Sequence, residues 1–166
     1  AHLITKVYFP RLIIPLTGVF SGLVDLAIGF ILLVVMLIIY SIQPTAAVAL
    51  LPAFLLLAMA TALGFGLWLA ALNVRYRDVN YLVPFLIQIW LYATPVAYGS
   101  TLIPEQYRWL LGLNPMTGVV EGFRWALLGQ EPPGRLFGLS IVITTLVLIT
   151  GLFYFRTTER TFADIV

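Results

Sequence analysis

Apolar residues along this chain come in long unbroken runs, not in the alternation of a half-buried strand or the single stripe of a surface helix. Four runs stand out. Residues 16–40 carry one charge, Asp25, and residues 46–72 carry none. Residues 81–98 are shorter, with Pro84 and Pro95 near the ends and Gln88 between them; residues 136–155 again carry no charge. A helix needs about 20 mostly apolar residues to cross hydrocarbon, where the backbone finds no partner outside the helix itself. The pattern predicts an all-α integral membrane protein with four transmembrane helices, and a single membrane domain over residues 1–166.

The segment between the third and fourth runs is neither polar nor disordered in composition, and it is too apolar for an ordinary loop. "PEQYRWLLGL" reads as a short helix opened by proline at its first position. "NPMTGVVEGFRWALLG" reads as a second helix, with Asn114 as cap, Pro115 in its first turn and Gly129 as terminator. Each is too short to cross. Together they predict a re-entrant helical hairpin over 104–129 that dips into one side of the membrane and returns.

Composition turns the pattern into a class. The chain has 166 residues, 61% hydrophobic and 10% charged, against roughly 25% charged in a soluble domain. It has no cysteine and a single histidine, His2, which excludes disulfides, thiolate catalysis and cysteine-ligated metals. The chain starts "AHLITKVYFP", without an initiator methionine, so an amino-terminal part of a longer protein is expected to be missing.

Lysine and arginine give the orientation. Lys6, Arg11, Arg75, Arg77, Arg156 and Arg160 fall on one side of a four-span chain. Arg108, Arg124 and Arg135 fall on the other, accompanied by Glu105, Glu121 and Glu131. The positive-inside rule assigns the first set, and the carboxyl terminus with it, to the cytoplasm. Asp78 or Asn80 can cap the helix that enters after the charged turn.

Four stretches, in order, carry a resemblance: "LITKVYFPRLIIPL", "NVRYRDV", "LNPMTGVVEGFRWALLG" and "ERTFADIV". The chain resembles the membrane-spanning permeases of bacterial ABC-2 type exporters, in particular the polysaccharide exporters for O-antigen, capsule and teichoic acid. The resemblance implies the C-terminal part of a six-span permease in the bacterial plasma membrane. It also implies pairing with a second copy of the permease and docking of a separate ATP-binding-cassette subunit. A lipid-linked glycan would leave between the two permeases.

Individual residues then divide between a functional and a plainer role. Lys6 has no glycine-rich turn before it, so no phosphate-cradling loop is present; ATP and magnesium belong on the partner subunit, and this chain is expected to hold no cofactor and perform no catalysis. Arg75, Arg77 and Asp78 read as a positive-inside anchor from charge alone and, through the resemblance, as a loop coupled to the ATPase. Lys6, Tyr8, Phe9 and Arg11 carry the same pair of readings. Asp25, about 13 Å into its run, faces protein or water rather than lipid, as a glycan contact or as a hydrogen-bonded packing residue.

Trp90, Tyr92 and Tyr98 can sit in an interfacial belt or stack against sugar rings, and the resemblance implies a channel-lining role for them. In the hairpin, Asn114 and Pro115 open the second helix, while Trp125 joins Tyr107, Trp109 and Phe123 as an interfacial ring. Glu121 and Arg124, three apart on one helix face, predict a local salt bridge. Gly18 with Gly22, and Gly134 with Gly138, have the spacing of close helix packing.

The expected partners are therefore the ATPase subunit, a second permease, a lipid-linked glycan and membrane lipids, with no nucleic acid. Rival functions remain. A drug- or lipid-exporting ABC-2 permease differs only by resemblance. A channel or secondary transporter would show internal repeats, which are not apparent. A membrane enzyme acting on lipid-linked sugars would need paired carboxylates or a metal cluster. A purely structural subunit would not need two half-length helices.

Overall fold

The computed structural model describes residues 13–96 and 98–163, and every regular element among them is helical. Two compact units divide the chain, Ala1–Ser41 and Ile42–Val166.

The first unit contains one described helix, α1, Ile13–Ile39. It stops where Ser41 takes a left-handed conformation with φ of 54°, and Ser41 N–H donates to Ile38 O at 3.2 Å. Asp25 is exposed on α1 and, among the described residues, makes no hydrogen bond or ion pair.

The second unit opens with a 3₁₀ turn, Ala46–Leu50, that runs into α2, Leu51–Arg75, with Pro52 where a missing N–H costs nothing. Then come α3, Val79–Ala93, and α4, Arg108–Gly112, the latter preceded by 3₁₀ turns at Ser100–Leu102 and Glu105–Tyr107. Last are α5, Pro115–Leu128, and α6, Arg135–Ala163. Among the described residues, three helical stretches are long and apolar enough to cross a membrane: Leu16–Ile39, Ala46–Arg75 and Arg135–Thr161. The chain is a multi-pass membrane protein by that measure.

The predicted third run differs. Its helix has 15 residues, about 22 Å at 1.5 Å per residue against roughly 30 Å of hydrocarbon. It ends at Ala93 because Pro95 drives Thr94 out of the helical region, to ψ of 132°. Asp78 holds the cap position without a side-chain bond. The chain enters α3 through a turn whose own carbonyls, Tyr76 O, Arg77 O and Asp78 O, accept from the amides of Val79, Asn80 and Tyr81.

The predicted first hairpin helix is likewise broken, into a 3₁₀ turn and the five residues of α4. Helix α5, in contrast, starts and stops where the sequence marks it. Asn114 Oδ1 accepts from Met116 N–H at 3.0 Å, and Gly129 closes the helix at φ of 70°.

Helices α2 and α6 form the frame, and they run in the same direction. Contacts climb both together: Phe54 lies edge-on to Phe137 at 5.3 Å, Thr61 bonds Thr144 at 3.0 Å, and Trp68 stacks on Tyr154 at 4.9 Å. The axes close up at Gly64 and Gly151, where a Cβ on Gly151 would stand 2.9 Å from Gly64 O. Helix α5 packs into the first halves of both. A Cβ on Gly118 would meet Ser140 Oγ at 2.5 Å, and one on Gly122 would meet the Phe54 ring at 2.6 Å. Eight of its fourteen residues are buried, so α5 belongs to the core of this unit. Of the later glycine pair picked out in the sequence, a Cβ on Gly138 meets nothing within 4 Å among the described residues, and Gly134 turns the chain at φ of 56°.

Candidate functional site

The end of α3 is where polar chemistry concentrates. Trp90 is half-buried with its ring edge against Phe65 at 4.3 Å, and its indole N–H donates to Asn114 Oδ1 at 2.8 Å. Asn114 Nδ2 donates to Thr94 Oγ1 at 2.8 Å, and that hydroxyl donates back to Trp90 O at 2.8 Å. The Asn114 amide thus caps α5 with one lone pair, holds Trp90 with the other and reaches Thr94 with an N–H.

One helical stretch further along α5, Arg124 completes the attachment. Its Nη2 donates to Val96 O at 2.8 Å; its Nη1 donates to Tyr98 O and to Glu121 Oε1, both at 3.2 Å. The Glu121–Arg124 ion pair is largely buried. Arg124 therefore spends its fork on two main-chain carbonyls and one carboxylate, the geometry for which a planar guanidinium is suited. Tyr98 sits beyond the helix, and its hydroxyl donates to Tyr92 O and Ala93 O at 3.2 and 3.3 Å. Those carbonyls are among the acceptors that a helix end leaves without partners.

Tyr92 is different in kind from Trp90. Two residues on, it is turned about 200° around the helix and is 68% exposed. The half-buried positions of α3, Val79, Val83 and Trp90, form a stripe at spacings of four and seven that faces the rest of the unit. Directly opposite runs a second stripe at i, i+4, i+7 and i+11: Tyr81, Phe85, Gln88 and Tyr92, all exposed. Among the described residues Gln88 has no hydrogen bond. An uncharged amide in the middle of an apolar helix, on the face away from its own packing contacts, is costly against lipid and points to water or polar company there. Tyr81, Phe85, Gln88 and Thr94 are not among the candidate site residues read from the sequence, where Gln88 is noted only as a polar residue within the third run. The spacing of the first three with Tyr92 was readable, but which face α3 buries was not.

The other predicted residues lie elsewhere. Arg75, Arg77 and Asp78 are exposed at the turn between α2 and α3, with the Arg75 guanidinium 5.8 Å from the Tyr76 ring centre. Pro115 is buried at the start of α5, and Trp125 packs edge-on to Phe54 at 6.4 Å. Lys6, Tyr8, Phe9 and Arg11 lie outside the described residues. Among the described residues no cluster of histidine, cysteine or acidic side chains has the arrangement of a metal site.

Comparison with known proteins gives these features a setting. The profile of the ABC-2 type transporter family matches residues 2–128. An O-antigen export system permease protein, RfbA, of Myxococcus xanthus is 34% identical, over 85% of this chain and 57% of its own length. Two such RfbA permeases of Klebsiella pneumoniae are 28% and 24% identical, each over 99% of this chain and 64% of their own length. The chain thus spans between 57% and 64% of the curated relatives it matches. With its apolar helices and a family match over most of its length, the chain belongs to the ABC-2 type transporter family.

Proposed function

We propose that this chain is the greater part of a permease that moves a lipid-linked polysaccharide across a bacterial plasma membrane, powered by ATP hydrolysed on a separate subunit. The likeness to O-antigen export permeases supplies the class of cargo. The observation that carries the reading is the free face of α3, where Tyr81, Phe85, Gln88 and Tyr92 follow one another along the helix. Aromatic planes pack against the C–H faces of sugar rings, tyrosine hydroxyls and an amide exchange hydrogen bonds with sugar hydroxyls, and such a row offers a passing glycan repeated, individually weak contacts. In this reading Tyr92 touches the cargo, and Trp90 is the post that holds the helix. Tyr98 serves the helix end rather than the path, and Asp25 of α1 faces a polar partner in the assembled permease.

The rest follows from the same assignment. Arg75, Arg77 and Asp78 meet the ATPase on the cytoplasmic side, together with Lys6, Tyr8, Phe9 and Arg11, and the carboxyl terminus lies on that side too. A second copy completes the path. Helix α3 rises from the cytoplasmic turn as a fourth, interrupted crossing, and residues 104–129, with α4 and α5, form the re-entrant hairpin on the outer side. ATP and magnesium reside on the ATPase, and this chain contributes no catalytic group.

The test uses the full-length permease with its ATPase in cells whose surface glycan depends on them. Gln88→Ala combined with Tyr92→Ala is expected to cut surface glycan about tenfold or more, the sum of two contacts of ~1 kcal/mol each, with permease levels unchanged. Normal glycan at normal permease level would overturn the assignment of that face.

A further inference from the structure

The directional contacts at the end of α3 nearly all lead to one element. Along its packed stripe α3 offers Val79 and Val83, smooth apolar side chains that permit rotation about the helix axis. The contacts that do not permit it are the hydrogen bond that Trp90 donates to Asn114, the cap of α5, and those that Asn114 and Arg124 of α5 donate to Thr94, Val96 O and Tyr98 O at and just past the end of α3. Turning α3 by one residue would bring Ile89 or Leu91 to the place of Trp90. Neither has an N–H for Asn114 Oδ1, and the displaced Trp90 indole N–H would lose its acceptor, which is penalised in apolar surroundings. Helix α5 is itself immobilised by the glycine contacts at Gly118 and Gly122 against α6 and α2.

We infer that Asn114 and Arg124 are positioning residues: they transmit the setting of the α2–α6 frame to α3 and fix the direction in which Tyr81, Phe85, Gln88 and Tyr92 face. The inference rests on the reading of that face given above for its consequence in transport. Its structural content is separate.

Serine separates this role from simple helix capping. Asn114→Ser keeps a good cap for α5, but its side chain is too short to span to Trp90 and Thr94. Asn114→Asp keeps the cap and an acceptor for Trp90. Arg124→Lys keeps a charge for Glu121 but loses the fork that holds two carbonyls.

The experiment places spin labels at Gln88→Cys and Leu128→Cys in the full-length permease, diluted with unlabelled protein, and measures their separation; surface glycan is measured in cells that carry the Asn114 and Arg124 variants without the two cysteines. One dominant distance is expected in the parent. Asn114→Ser and Arg124→Lys should each lower the share of that distance relative to others about fivefold, the equivalent of one net hydrogen bond of ~1 kcal/mol. Asn114→Asp should largely restore it. A distance distribution in Asn114→Ser indistinguishable from the parent would overturn the positioning role. A shifted distribution with full glycan export supports positioning and instead removes the glycan from that face of α3.

Discussion

Phe54 and Gly122 show how little room single atoms have in this fold. The Phe54 ring is 2% exposed and is surrounded by Phe123, Trp125 and Phe137, at centroid separations of 6.3, 6.4 and 5.3 Å. It occupies the space where a side chain on residue 122 would begin. Gly122→Ala should therefore cost ~1–3 kcal/mol by overpacking, because a ring held on several sides cannot swing away. Gly138→Ala adds the same methyl to a helix facing open space and should be neutral or slightly favourable, since alanine is the better helix former by ~1 kcal/mol. Thermal unfolding of the two variants in detergent decides it. Equal midpoints would mean that the Phe54 cluster is looser than its geometry.

At the scale of elements, the frame is held by a seam of hydroxyls between two parallel helices. Thr61 Oγ1 donates to Leu57 O at 2.8 Å, which leaves Thr144 to donate across the interface at 3.0 Å. Trp68 Nε1–H donates to Thr150 Oγ1 at 3.1 Å further along. Interhelical bonds of this kind contribute about 0.6 kcal/mol on average and reach about 1.7. A double-mutant cycle on Thr61→Val and Thr144→Val should return a coupling in that range. A coupling of zero would assign the seam's cohesion to the Gly64–Gly151 approach alone.

These elements also mark what the sequence could and could not disclose. Long apolar runs announce α1, α2 and α6, because the requirement to satisfy every backbone group in hydrocarbon leaves one solution. Asn114, Pro115 and Gly129 announce α5 through local capping chemistry. The stop of α3 at Ala93 was written in Pro95, but Tyr98 and Val96 looked like more of the same apolar run. Their separate role depends on Arg124, 28 residues from Val96 in sequence. No local signal reports a guanidinium arriving from that distance, nor that Trp90 would give its N–H to Asn114. Glycine spacing is silent on Gly64, Gly118, Gly122 and Gly151 for a related reason: whether a small residue is packed is decided by the neighbouring helix.

Across the whole of the unit Ile42–Val166, the parallel course of α2 and α6 fixes which charged segments share a side. Trp68 lies beside Tyr154, so the next two turns of each helix end level with one another, with Arg75 closing one and Arg77 just past it, and Arg156 and Arg160 on the other. At the opposite end, Thr45 Oγ1 donates to Trp125 O and Ala126 O at 3.2 and 3.1 Å, and the exposed Glu131 follows a few residues later in the chain. Helix α2 alone has 25 residues, about 37 Å of rise, so the two ends stand farther apart than hydrocarbon is thick. Arginine-rich ends favour the cytoplasm. Single cysteines at Asn80 and Thr161 should accordingly resist a membrane-impermeant maleimide in intact cells and react once the membrane is opened. A cysteine at Glu131 should react in both. Opposite behaviour of Asn80→Cys and Thr161→Cys would contradict the parallel packing. Joint reaction from outside would keep the packing and reverse the orientation, leaving the arginine-bearing turn nowhere to meet an ATPase.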